Sequence, residues 1–245
     1  MSFKSIAWGE DLSVDWISAQ TREYSGAEAQ EIVRATPVLP HLTHRVYETY
    51  GKRVLDCSLI LLALPIALPL ILGCALLAAL GGGTPFYWQE RIGRNGKVFF
   101  LLKIRTMIPD AEAALEAHLA ANPAARKEWD NKQKLINDPR ITRIGALLRK
   151  TSLDELPQLW NVLKGDMSLV GPRPMMVDQK DLYAGPAYFH VRPGITGPWQ
   201  VSDRNASSFA DRARFDLDYY QRLSLKTDIS LLIQTVGAVL RGTGH

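Results

Sequence analysis

The sequence predicts a mainly helical α+β fold: a cytosolic domain with a small β-hairpin, anchored to a membrane by a re-entrant helix–break–helix hairpin. Three observations lead there. An uncharged apolar run, Cys57–Leu80, carries prolines at 65 and 69 and has cations on both flanks. Two short aromatic-rich runs face each other across Gly93 and Asn95-Gly96. Downstream, segments with helical spacing alternate with Asn-Pro and Gly stops.

Residues 1–45 read as an N-terminal cytosolic arm. They are polar, with scattered aromatics (Phe3, Trp8, Trp16, Tyr24) and no sustained period, so poor order is expected. No charged-apolar-cleavage pattern marks a secretory signal peptide. Residues 46–83 form the membrane hairpin. At 24 residues, Cys57–Leu80 is long enough for a simple crossing, which needs about 20. Two details oppose that reading. Pro65 and Pro69 each remove a backbone bond in mid-run. Arg45, Lys52 and Arg53 precede the run, while Arg91, Arg94, Lys97, Lys103 and Arg105 follow it, so the positive-inside bias selects no translocated end. A hairpin entering and leaving on the cytosolic face satisfies both.

Residues 84–245 make the cytosolic domain. Phe86–Trp88 and Val98–Lys103 are its hairpin strands. Ala111–Ala121 and Ala124–Lys134 are Ala/Glu/Lys-rich helices parted by Asn122-Pro123, and Ile141–Leu148 and Glu155–Leu163 follow, with Gly165 as a stop. Gly and Pro mark loops from Tyr183 to Ser208, where Trp199-Gln200-Val201 reads either as core or as the lining of a base or sugar pocket. Leu225, Ile229, Leu232, Val236 and Leu240 recur at helical spacing; the amphipathic helix they define is expected to face the core, with a membrane-surface position as the alternative. Tyr219 and Tyr220 suit an interface.

A chain of 245 residues suffices for one domain with appendages, and a net charge of +4 with pI near 9.1 suits anionic partners in general. Nucleic acid is not among those expected, because no recognition-helix pattern or zinc spacing is present. Cys57 and Cys74, both inside the apolar run, form neither a disulfide framework nor a Cys-x-x-Cys motif, so a reducing compartment is adequate.

The chemistry concentrates in Arg149-Lys150-Thr151-Ser152-Leu153-Asp154-Glu155-Leu156-Pro157-Gln158-Leu159. Two adjacent carboxylates leave a helix about 100° apart, so they can take different parts. Ser152 with Glu155 has the form of a capping box, while Pro157 argues for a later start that sets Asp154 at or beside the N-cap. Either way, free N–H groups and the helix dipole are expected to keep Asp154 ionised. Both acids could simply cap a helix. Against that stand the cations on either side: Arg140, Arg143, Arg149 and Lys150 before the pair, Lys164 and Arg173 after it. Arg173 lies between two prolines, and an arginine fork there suits a phosphate.

These blocks resemble the bacterial sugar transferases, the monotopic polyprenyl-phosphate phosphoglycosyl transferases. The resemblance rests on Lys52–Asp56, Gln89–Lys97, Lys103–Met107, Asp138–Leu159, Gly165–Pro174 and Arg192–Ser202, in that order, and covers roughly Tyr47 to the C-terminus. The short C-terminal form is similar to the branch that initiates exopolysaccharide repeat units. At the membrane break the family commonly has Ser-Pro; this chain has Leu68-Pro69 and an additional Pro65.

The resemblance implies transfer of a hexose 1-phosphate from a UDP-hexose to undecaprenyl (polyprenyl) phosphate, with release of UMP, at the cytosolic leaflet of the bacterial inner membrane. Asp154 would attack the β-phosphorus and form an aspartyl phosphosugar. Glu155 would be the Mg²⁺ ligand, Arg149 and Arg173 would face the phosphates, and Gln200 would contact substrate. Lys103 and Arg105 belong to a basic collar expected to touch phosphate or lipid headgroup. Glucose and galactose lead as the sugar, and a homodimer is left open. Two other readings stand beside this one: a non-catalytic membrane-tethered scaffold for polysaccharide assembly, and direct displacement in which both acids bind Mg²⁺.

Overall fold

The computed structural model describes residues 46–240 apart from 82, 133–134, 184, 203–208 and 210. The N-terminal arm expected over residues 1–45 lies outside the described residues. A π-helical turn, Tyr47–Gly51, runs into α1, Lys52–Leu80. Strands β1 (Phe86–Ile92) and β2 (Val98–Ile104) follow, then α2 (Ala111–Ala121), α3 (Pro123–Lys132) and α4 (Arg143–Lys150). A 3₁₀ turn, Leu153–Glu155, precedes α5 (Gln158–Lys164) and β3 (Ser168–Val170). The rest comprises α6 (Ala187–His190), β4 (Gly194–Thr196), α7 (Pro198–Val201), α8 (Arg212–Gln221) and α9 (Leu225–Leu240).

The break expected in the apolar run is not an unwound segment. Helix α1 is helical from end to end, with Pro65 and Pro69 inside it. Its two flanks are rooted in the domain. At the start, Lys52 donates to Asp228 at 2.6 Å and to the Tyr219 hydroxyl at 2.9 Å, and Asp56 accepts from Ser168 Oγ at 2.7 Å. Ile60 then joins a cluster with Phe99, Leu101, Val162 and Met167. Near the end, Cys74 and Ala78 pack with Ile104 and Leu148. Between these anchors Leu61, Leu62, Ile66, Leu68, Leu70 and Leu72 are exposed, up to 78% for Leu62. This helix is long and apolar enough for membrane insertion.

The β1–β2 hairpin forms as expected, though its strands are longer. Asn95 and Gly96 take positive φ at its tip (59° and 73°), the conformation that an Asn-Gly pair tolerates. Among the described residues no third strand pairs with the outer edge of β2. Asn161 stands in for one: its amide oxygen accepts from Leu102 N–H at 3.0 Å, and its amide nitrogen donates to the Phe100 carbonyl at 2.7 Å. A two-residue parallel pairing of β3 with β4, joining Ser168 to Gly194 and Val170 to Thr196, was not anticipated.

Helices α2 and α3 meet over Leu115, Leu119 and Ala125, parted at Asn122-Pro123 as the sequence suggests. Helix α5 ends at Gly165, whose φ of 97° makes it the left-handed stop.

Two expectations at the C-terminal end are overturned. The apolar stripe of α9 does not as a whole face the core: Leu232 packs against it, but Leu225, Ile229 and Val236 are exposed, with Ile233 and Val239 beside them, while Asp228 and Leu231 point inward. The buried ion pair of Asp228 with Lys52 fixes the helix's rotation, because a buried carboxylate must face its partner. Tyr219 and Tyr220 are not interfacial. They are 2% and 7% exposed, and the Tyr219 hydroxyl donates to Asp228 at 2.8 Å.

Candidate active site

The acidic pair lies where the 3₁₀ turn meets β2. Ser152 adopts φ 56° and makes no side-chain cap, so the expected capping box with Glu155 is absent. Asp154 is not an N-cap either; Pro157 occupies that position and α5 starts one residue later. The left-handed turn at Ser152 drives Asp154 inward to 6% exposure. Glu155 points to β2 instead, where Lys103 Nζ lies 2.7 Å from its Oε1 and Arg173 Nη2 3.6 Å from the same oxygen.

Asp154 is therefore not tuned by a helix dipole. Burial pushes its carboxyl above the usual range; Lys103 opposes this most strongly, Glu155 adds to it, and Arg149 and Arg173 pull it back down. Arg149 is held for this task by Thr106, whose hydroxyl accepts from Nε at 2.9 Å. Leu153, in the same turn, packs with Cys74, Ala78 and Leu148, so the acid stands beside the last turns of α1.

Side chains alternate across the hairpin, which sorts its cations. Arg91, Leu101 and Lys103 share one face and line a pocket with Glu155, Gln158, Arg173 and Ile195. Arg91 was not singled out beforehand as a site residue. Its guanidinium is pushed down to about 10, by burial first and then by Arg173 and Arg212; its Nε is buried without a hydrogen-bond partner, and Nη1 donates to the Pro174 carbonyl at 3.1 Å. Arg212 donates to the adjacent Arg173 carbonyl. Two buried arginines thus clamp consecutive carbonyls of the Pro-Arg-Pro loop, which turns the Arg173 side chain toward Glu155. Arg173 and Arg212 also stack on Trp199, at 5.9 and 5.3 Å. The buried Asp216, pushed up to about 6 by burial, offsets the charge of Arg212.

Asp154 and Arg149 stand behind this pocket and do not line it, and the other expected site residues lie apart. Arg105 donates to the Ala78 carbonyl at 3.3 Å, at the end of α1. Gln200 is outside the pocket, and its amide oxygen and nitrogen are buried with no hydrogen-bond partner. Pro65 and Pro69 sit in the exposed middle of α1. The signal for Gln158, 2% exposed and lining the pocket, was its place one turn after the acidic pair.

Among the described residues no group of three or more His, Cys, Asp or Glu gathers to hold a metal. Mg²⁺ commonly takes one or two protein carboxylates and completes its shell with substrate phosphates and water, so Glu155, whose carboxylate lines the pocket, fits as a partial donor.

Fold and site together define a membrane-associated domain that presents an acidic pair within a ring of cations. The chain belongs to the bacterial sugar transferase family, whose model matches residues 47–242. It is 48% identical over 195 residues to a UDP-galactose-lipid carrier transferase of Erwinia amylovora, across 79% of this chain and 41% of that protein. It is 45% identical over 195 residues to the undecaprenyl-phosphate galactose phosphotransferase of Salmonella typhimurium, with the same coverage. With the exopolysaccharide production protein ExoY of Rhizobium meliloti it shares 46% identity over 197 residues, 79% of this chain and 87% of that one. The chain therefore spans about two fifths of the first two relatives and most of the third.

Proposed function

We propose that this protein transfers a hexose 1-phosphate from a UDP-hexose to undecaprenyl phosphate, the first membrane step in assembling an exopolysaccharide repeat unit. The observation that carries this reading is Asp154. It is a buried carboxylate among Lys103, Arg149 and Arg173, set against the membrane helix. An oxygen of Asp154 attacks the β-phosphorus, the bond from that phosphorus to the bridging oxygen breaks, and UMP leaves with the electron pair. A phosphate oxygen of the lipid then attacks the same phosphorus and returns the carboxylate. The cations balance charge as it spreads over the transferring group.

Glu155 has a second task. Before substrate binds, Lys103 and Arg173 hold it. A diphosphate would give both cations new anionic partners and free Glu155, the residue that would hold Mg²⁺. The ion, when bound, neutralises the diphosphate oxygens and eases departure of UMP.

The membrane arrangement we read is re-entrant, on the cytosolic face of the inner membrane. A straight helix would carry Ala78 about 27 Å beyond Ile60, whereas Leu101 and Ile104, members of the two clusters those residues join, lie about 10 Å apart on β2. Both ends rooted in one domain, with two prolines in the exposed middle, support an arch that dips into the bilayer and returns. The outward apolar stripe of α9 supports a position on the membrane surface for that helix.

Incubation with a UDP-sugar labelled in its sugar, without lipid acceptor, tests the chemistry. Label should appear on Asp154 after rapid denaturation and vanish when polyprenyl phosphate is added before the quench. Asp154→Asn should give neither label nor UMP, while Glu155→Gln, keeping one metal-binding oxygen, should label slowly. Brisk lipid-dependent turnover without label would mean direct displacement. No UMP release from any UDP-hexose would leave the scaffold reading.

A further inference from the structure

The hairpin has two faces with opposite characters. Arg91, Leu101 and Lys103 look into the pocket. On the other face the register pairs Phe86 with Ile104, Trp88 with Leu102, Glu90 with Phe100, and Ile92 with Val98, of which Ile92 is buried in the core with Val170 and Met175. At the base of this face Ile104 is buried against Cys74 and Ala78 of α1. Between these buried ends the face is uncovered: Trp88, Phe100 and Val98 are 52–54% exposed, and Phe86 is 36% exposed. Such an apolar strip is costly to leave in water.

We propose that this outward face rests in the headgroup–acyl boundary of the bilayer that α1 enters, as a second contact with the same leaflet. The inference rests on insertion of α1. Continuity identifies the occupant. The strip begins on α1 itself, beside Leu76, Leu77 and Leu80, which are 65%, 45% and 75% exposed, and only residues 81–85 part it from them in sequence. Composition agrees, because aromatic rings concentrate where a chain leaves the hydrocarbon. The tip also carries cations. Lys97 and Arg94 are exposed at the hairpin tip, Arg94 lying 3.9 Å from Glu48, and Lys97 faces solvent beside Glu90, the acid on this face. Cations beside an apolar strip suit an anionic lipid surface. Seated this way, the hairpin presents Lys103 and Arg91 from its other face, so the membrane becomes the backing of the pocket.

The test uses the full chain in vesicles of phosphatidylcholine and phosphatidylglycerol brominated at either shallow or deep acyl positions. Of the 6 tryptophans, Trp88 is isolated by subtracting the emission of a Trp88→Phe variant that still floats with the vesicles. We expect shallow bromines to quench the Trp88 component at least two-fold, and deep bromines to quench it less. Flotation with an unquenched Trp88 component would overturn the hairpin contact while leaving α1 inserted. Failure of the wild-type protein to float would overturn the insertion itself, and this inference with it. If Phe100→Glu converts a dimer in detergent to a monomer, and Trp88 stays unquenched in vesicles, the face joins two copies and the lipid contact is wrong.

Discussion

Lys103, near the end of β2, places its ammonium nitrogen 2.7 Å from Oε1 of Glu155 and is also the strongest charge holding down the carboxyl of Asp154. One cation thus acts on both acids of the pair. A lysine in a strand can do this because its neighbour Leu102 points to the opposite face, which leaves the stem directed at the turn.

Replacing Lys103 by Met should move the acid limb of the pH–rate profile upward. Asp154 must be ionised to attack, and burial already sets its carboxyl above the ordinary range. Removing the main opposing charge raises it further, so activity at low pH is lost first and a plateau returns at higher pH. UMP release measured across pH checks this; an unmoved limb would mean that Asp154 does not govern it.

Arg173→Ala should lower kcat/KM for the UDP-sugar by about 100-fold, the usual cost of a lost donor to a charged transition state. Arg173→Lys should recover only part, since an ammonium cannot reproduce the fork. Arg212→Lys should cost about tenfold with the fold intact, because the Arg173 carbonyl and the Trp199 ring lose the group they share. Steady-state kinetics with thermal unfolding as control separates these cases.

Asn161→Leu should destabilise the protein by about 2–4 kcal/mol, because Leu102 N–H and the Phe100 carbonyl would lose their partner at the edge of β2. Asn161→Asp should cost less at the N–H and more at the carbonyl. Denaturation in mixed micelles, followed by tryptophan emission, reads the difference.

Cysteines placed at Tyr50 and Thr84 should both resist an impermeant reagent outside intact cells. Joint replacement of Pro65 and Pro69 by Ala should straighten α1 and expose one of them, since each restored N–H favours a continuous rod. Labelling of one site in the unaltered protein would mean a true crossing.

Local features were legible in the sequence, and distant pairings were not. Asn95-Gly96, Asn122-Pro123 and Gly165 carry their conformations in their own side chains, or in the lack of one, and each occurs where expected. The parallel β3–β4 pairing and the contact of Lys52 with Asp228, 176 positions away, depend on which segments meet. The α9 stripe misled because its period is real while the buried Asp228 sets which side faces inward. Around Asp154 the residue types were readable. The means of tuning it were not, because Ser152 takes a backbone angle that no cap pattern announces.

In the membrane arrangement proposed above, the packing of Leu153 against Cys74 and Ala78 would set the acid at one height above the lipid. An acceptor confined to that leaflet would then meet the site by lateral diffusion alone. Turnover becomes a two-dimensional encounter, governed by the mole fraction of acceptor among its neighbours and not by its amount per volume. Diluting the membrane with inert phospholipid slows such an enzyme even when nothing in the surrounding water has changed.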